Sequence, residues 1–184
     1  GVLVVIVLMF AGSYNGLVRL EESVNSAWSQ VENVYQRRLD LIPNLVETVK
    51  GYAGHENSTL VAVTEARSRV AGTVSSDVVN DPGKFQKFQE SQAALGGALS
   101  RLLVVAEQYP DLKASQNFLE LQSQLEGTEN RISVERGRYN EAAQYFNTKL
   151  RQFPTNVLAG MFGFKVKEYF KGDAAASKAP KVTF

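Results

Sequence analysis

Phe118-Leu-Glu-Leu-Gln-Ser-Gln-Leu-Glu-Gly-Thr-Glu-Asn-Arg-Ile-Ser-Val-Glu-Arg-Gly-Arg-Tyr-Asn-Glu-Ala-Ala-Gln-Tyr-Phe146 places a large apolar residue at every seventh position: Phe118, Leu125, Ile132, Tyr139 and Phe146. An α-helix turns once per ~3.6 residues, so a period of seven keeps these side chains on one slowly drifting face. Polar and charged residues fill the positions between them, which predicts a long helix packed along a single seam. The companion series Leu121, Thr128, Glu135, Ala142 and Lys149 begins apolar and then turns small or polar.

The same period organises the rest of the chain. Leu17, Val24, Val31, Leu45 and Tyr52 form one series in the first helix, interrupted by Arg38, and Trp28, Tyr35, Ile42 and Val49 form the other. Leu60, Val63, Val70 and Val74 mark a shorter helix with Arg67 in line. Phe85, Phe88, Gln92, Leu95, Leu99, Leu102, Ala106 and Tyr109 alternate threes and fours along a third. Breakers fall between them: Gly51-Tyr-Ala-Gly54, the polar stretch 75–83 with Asp81 as N-cap and Pro82 at the first helical position, Tyr109-Pro110, and Phe153-Pro154. Pro43 lies inside the first helix, where its missing N–H and ring predict a kink or restart near Asp40. Residues 13–53 and 115–152 would each reach roughly 55–60 Å and the middle pair about half that. The fold expected is all-α, an elongated antiparallel four-helix bundle.

Ahead of it, residues 1–18 carry no charge. Val2, Leu3, Val4, Val5, Ile6, Val7, Leu8, Met9 and Phe10 head a run that would span roughly 27 Å as a helix, close to the ~30 Å core of a lipid bilayer. A transmembrane anchor is therefore expected over residues 1–18, truncated at its start if residues precede Gly1. The near flank holds Arg19, Glu21 and Glu22, with no excess of Lys or Arg before Arg37 and Arg38. This gives no reason to hold it in the cytoplasm, so the bundle is expected on the extracytoplasmic, periplasmic side of a single-pass protein.

Composition narrows the chemistry. Twenty Lys and Arg against nineteen Asp and Glu give a formal charge of +1, which removes the electrostatic case for nucleic acid. With no cysteine, disulfides, thiol nucleophiles and thiolate metal sites are excluded. The single histidine, His55, sits in a glycine-rich turn with no Glu three residues before it, so the Glu-x-x-His pairs of a bundle di-iron site are missing. No catalytic residues, metal ligands or cofactor are assigned, and the chain is read as not an enzyme.

Contact surfaces are the better candidates. Ala93-Ala-Leu-Gly-Gly-Ala98 sets small residues on one side of the third helix, and Gly96 and Gly97 would let another element approach closely, either at an internal crossing beside Trp28 or between subunits. Arg37, Arg38, Asp40, Asn44 and Glu47 crowd the proline as a buried ion-pair network or a recognition patch. Phe162, Phe164, Val166, Tyr169 and Phe170 form an aromatic stretch, too polar with Lys165 and Lys167 to be a second span, that docks on the bundle or on something else. In the Ala- and Lys-rich tail, Val182 and Phe184 are the apolar anchors for contact with a neighbouring subunit.

The segments Arg37-Arg-Leu-Asp-Leu-Ile-Pro-Asn-Leu-Val-Glu-Thr-Val-Lys-Gly-Tyr-Ala-Gly-His-Glu56, Thr128-Glu-Asn-Arg-Ile132, Tyr139-Asn-Glu-Ala142, Lys149-Leu-Arg-Gln-Phe-Pro-Thr-Asn156 and Phe162-Gly-Phe-Lys165 resemble the LemA family of bacteria. The resemblance covers almost the whole chain and departs from it after Lys171. It implies an amino-terminal membrane helix and a helical bundle, and it carries over no settled activity or catalytic residues. The expected layout is thus an anchor (1–18), a LemA-like bundle (19–156), an aromatic segment (157–170) and a low-complexity tail (171–184). The expected role is a membrane-anchored structural or scaffolding module that self-associates, with the lipid bilayer and further copies of itself as partners. The alternatives are an adaptor for a different extracytoplasmic protein and an enzyme with a site in the bundle core.

Overall fold

The computed structural model describes residues 1–171, the side chains of Val2, Leu3 and Ile6 excepted. Six helices follow in order: α1 (Val2–Tyr52), α2 (Asn57–Ala71), α3 (Pro82–Ala106), α4 (Pro110–Lys113), α5 (Gln116–Arg151) and α6 (Thr155–Phe162), with a 3-10 turn at Ser76–Asn80 before α3. At 51 and 36 residues, α1 and α5 extend for ~77 and ~54 Å. They lie antiparallel, since Trp28 meets Tyr139 while Arg38 meets Glu129. The shorter α2 and α3 pair with each other, and α2 also packs on α1. The four principal helices match the bundle expected from the periodicity, and α4 and α6 are short additions.

The seam residues sit where their spacing puts them. Phe118, Leu125, Ile132, Tyr139 and Phe146 are all buried, as are Leu17, Val24, Trp28, Val31, Tyr35, Ile42, Leu45 and Val49. Tyr52, at the end of its series, is instead half exposed. The core has two centres: an aliphatic one built around Leu45, Val63, Leu95, Leu102 and Leu125, and an aromatic one around Trp28, Phe85, Phe88, Tyr139 and Phe146. Asp81 caps α3 as expected, its Oδ1 accepting from the N–H of Gly83 at 2.8 Å and of Lys84 at 3.0 Å.

Two expectations are corrected. First, α1 does not restart at Pro43. Without an N–H at residue 43, the carbonyl of Leu39 loses its helical donor. Arg67 of α2 replaces it, donating from Nε at 2.9 Å. The charged residue in the α2 stripe is thus the partner that lets a proline-containing helix run on.

Second, among the described residues no helix is long and apolar enough to cross a membrane, so the transmembrane helix expected over residues 1–18 is not found. The end of that uncharged run belongs to the bundle. Leu17 is fully buried in the aromatic core, and the Tyr14 ring lies 4.8 Å from Phe162 and 5.8 Å from Phe164. What projects beyond the bundle is the first turns of α1, on which Val4, Val5, Val7, Leu8, Met9 and Phe10 are exposed.

Candidate functional site

The chain after α6 prepares the site. Gly163 ends the helix in the left-handed region (φ 74°), where a Cβ is unfavourable, and residues 164–171 then run back along α5 without regular secondary structure. Two asparagines of α5 hold this segment by its main chain. Asn147 accepts from the N–H of Lys167 at 2.8 Å and donates to the Lys167 carbonyl at 2.9 Å. Asn140 does the same for Phe170, at 2.8 and 2.9 Å. Three residues of the segment thus cover seven of the helix, ~10 Å either way, so the segment is extended between the two clamps.

Its side chains lock it in place. Phe170 enters the aromatic core, its ring stacked on Trp28 at 6.1 Å and edge-on to Tyr139 at 5.4 Å. Arg136 lies over the outer face of Phe170 at 4.8 Å and donates to the Lys171 carbonyl at 2.8 Å. Lys167 is buried, its ammonium donating to Glu21 at 2.8 Å and to Asn80 at 2.6 Å, which ties the segment to α1 and to the turn before α3. Tyr139 donates its hydroxyl proton to the Glu168 carbonyl at 3.1 Å, and burial holds its phenol above the ordinary tyrosine pKa. The aromatic stretch therefore docks on its own bundle.

Beside Phe170 and Lys171, a groove of about 740 Å³ opens between α3 and α5 over a floor from α1. Its walls include Ala93, Gly96 and Gly97 of α3 and Glu129 and Ile132 of α5, with Tyr35 and Arg38 from α1, and Phe170 and Lys171 close one end. A Cβ at Gly96 would stand 3.3 Å from the Arg38 Nη2, whereas one at Gly97 would meet nothing within 4 Å. The glycine pair therefore makes room for a guanidinium and an open groove. The close approach made at Gly96 is to Arg38 and not to Trp28, the residue beside which the crossing is expected.

Polar groups mark the junction of the two core centres. Arg38 is 6% exposed, and its Nε lies 2.8 Å from a Glu129 carboxylate oxygen, although the N–H is misdirected and makes no hydrogen bond. Glu129 is exposed, so solvent screens the pair and it adds little net stability, while Arg38 bears the cost of its own burial. Gln92, also 6% exposed, has neither its amide nitrogen nor its amide oxygen bonded. An unpartnered buried amide costs on the order of 1–3 kcal/mol, so Gln92 is an energetic liability of the bundle. Together these residues offer a cation, a donor and an acceptor above small, weakly apolar walls, a surface suited to binding main chain.

The other sequence candidates are dispersed. Arg37, Asp40 and Asn44 are exposed on α1, with Asp40 accepting from Gln36 at 2.8 Å, so the charges around Pro43 form no single network and only Arg38 points inward. Phe162 is largely exposed and Phe164 half-buried, both against Tyr14. Val182 and Phe184 lie outside the described residues. Asn140, Asn147 and Lys167 were not singled out from the sequence. Their signal was present, because the two asparagines are seven apart and each directly follows a seam aromatic, Tyr139 or Phe146. By its spacing Gln92 is one more member of the α3 stripe.

Comparison with known proteins places this architecture. Magnetosome protein MamQ 2 of Paramagnetospirillum magneticum is 29% identical over 187 aligned positions, covering 92% of this chain and 68% of that protein. MamQ of Magnetospirillum gryphiswaldense is 27% identical with the same coverage. Protein LemA of Metamycoplasma hominis is 29% identical over 151 positions, 82% of this chain and 65% of that protein. The chain thus spans about two thirds of the length of these relatives. The family model described as the LemA family matches residues 27–184, from the aromatic core of α1 through the clamped segment to the end of the chain, and the protein belongs to the LemA family.

Proposed function

We propose that the protein is a membrane-tethered scaffolding module, acting through contact and self-association, with its bundle on the extracytoplasmic side. The observation that carries this reading is the exposed apolar end of α1. Val4, Val5, Val7, Leu8 and Met9 are each more than half exposed, with no charged side chain before Arg19. Residues 2–13 measure ~18 Å, enough to enter one leaflet of a bilayer. Met161 and Phe162 of α6 are exposed on the same end of the bundle, since Phe162 packs on Tyr14, and they form an apolar collar at the depth of an interface. Gly12 and Gly16, one turn apart with open space over both, leave a ridge on which the α1 of a second copy could approach closely within lipid.

Flotation of the purified protein with phospholipid vesicles tests the tether. Wild type should float, and Leu8→Asp with Met9→Asp should not. Sedimentation of both proteins to the same depth would refute it. Native mass measurement in nanodiscs tests self-association. Wild type should give more than one copy and Gly12→Ile with Gly16→Ile a single one, whereas a monomeric wild type would return the adaptor reading.

A further inference from the structure

The segment from Phe164 to Lys171 is held the way a peptide ligand is held. Its bed is built from α1, the 3-10 turn, α3 and α5, and it reads two side chains three residues apart. The first pocket takes Lys167, which is 2% exposed. An ammonium has three N–H donors. Two of them end on Glu21 and Asn80, at 2.8 and 2.6 Å, and the nitrogen lies 5.3 Å from the centre of the Phe146 ring. The second pocket takes Phe170 between Trp28, Phe85, Phe88 and Tyr139, with ring centres 4.9 to 6.4 Å away. Between the pockets Asn147 donates to the Lys167 carbonyl and to the Tyr169 hydroxyl, each at 2.9 Å. The join to α6 is slight by comparison: the N–H of Phe164 donates to the Ala159 carbonyl at 3.0 Å, and the chain reverses at Gly163, the one position with positive φ among the described residues.

We propose that this segment is exchanged between copies, so that residues 164–171 of one chain dock in the bed of a second and the contact joins the two. The inference rests on the self-association proposed above and assigns it a site, one that needs residues from both copies. The occupant is a second copy because the pockets fit this chain's own Lys167 and Phe170, and each contact made within one chain is repeated between two. A segment released at Gly163 strips an ammonium, an aromatic ring and the clamped main-chain groups of their partners, so it is driven back into a bed, its own or a neighbour's. Residues 163–166 extend ~13 Å, more than the ~8–10 Å between the axes of two packed helices, which lets the released segment cross to an adjacent copy.

Two full-length variants, each checked for helix content by circular dichroism, make the test. Phe170→Ala keeps the bed and spoils the segment, whereas Asn140→Ala with Asn147→Ala keeps the segment and removes both clamps from the bed. Mixed in equal amounts and weighed by native mass spectrometry, they should form mixed dimers at several times the statistical share, because only the mixed pair joins an intact segment to an intact bed. Association through α1 does not distinguish the two variants and gives the statistical share. In the otherwise wild-type chain, Gly163→Val strains the closed hinge, since a β-branched residue is disfavoured at positive φ, and it should raise the ratio of dimer to monomer roughly tenfold. Mixed dimers at the statistical share, or a wild-type ratio unmoved by Gly163→Val, would each overturn the exchange and leave self-association standing. Monomers alone, in wild type and in the mixture, would overturn both.

Discussion

Arg67 and Pro43 should behave as a coupled pair, although their side chains serve different helices. Proline at 43 leaves the Leu39 carbonyl without its helical donor, and Arg67 Nε supplies one at 2.9 Å. A hydrogen bond from a charged donor contributes about 1.5–3 kcal/mol, and Arg67→Met removes it while keeping most of the side-chain stem. That cost should appear in full with proline present. In a Pro43→Ala background the restored N–H of residue 43 can bond the same carbonyl, so Arg67→Met should cost no more than about 0.5 kcal/mol. The coupling expected is therefore roughly 1–2.5 kcal/mol, and the effect of Pro43→Ala alone, in either folded or unfolded chain, cancels in the cycle. Urea unfolding of the four proteins, followed by far-UV circular dichroism, measures it. Equal costs for Arg67→Met in both backgrounds would refute the idea that the arginine substitutes for the missing amide.

Phe170→Ala should destabilise by about 3–5 kcal/mol, because it empties a site among Trp28, Phe85, Phe88 and Tyr139, whereas Phe153→Ala at an 83% exposed position should change stability by no more than about 0.5 kcal/mol. Trp28 is the single tryptophan, so its emission in a urea titration reports the loss directly. Leu125→Ala should cost about 2–5 kcal/mol and Glu126→Ala about 0.5 or less; similar midpoints in urea would mean that α5 is rotated from its seam. The backbone N–H of Lys84, more than that of Gly83, holds the Asp81 carboxyl below its ordinary value of 3.8. Its ionised form therefore contributes stability that is complete above pH 3.8 and fades as pH falls through the lower folded value. Asp81→Asn keeps a cap without that titration, so the wild-type advantage over the variant in thermal melts should shrink on acidification and should not grow.

The sequence by itself determined the helices and which face of each is buried, because a helical repeat reads directly as a spatial stripe: Phe118 to Phe146, Leu17 to Val49 and Phe85 to Ala106 are all local patterns. It also determined the cap at Asp81, where the cap, the proline and the amides are within three residues of one another. Only the tertiary structure decided what is set by residues distant in the chain. Pro43 alone predicts a kink or a restart; α1 does not restart there, and Arg67, 24 positions later, provides the lost donor. The uncharged run to Val18 has the composition of a span, yet Leu17 and Tyr14 are claimed by the bundle once α6 folds against them. Gln92 has the spacing of a core residue, and Gly96 and Gly97 have the look of a helix crossing. Which of them lines a groove depends on where α5 passes and on the aromatic segment filling only part of the space between α3 and α5. Periodicity fixes a residue's direction relative to its own helix axis; what it meets there is fixed by the packing of the other helices.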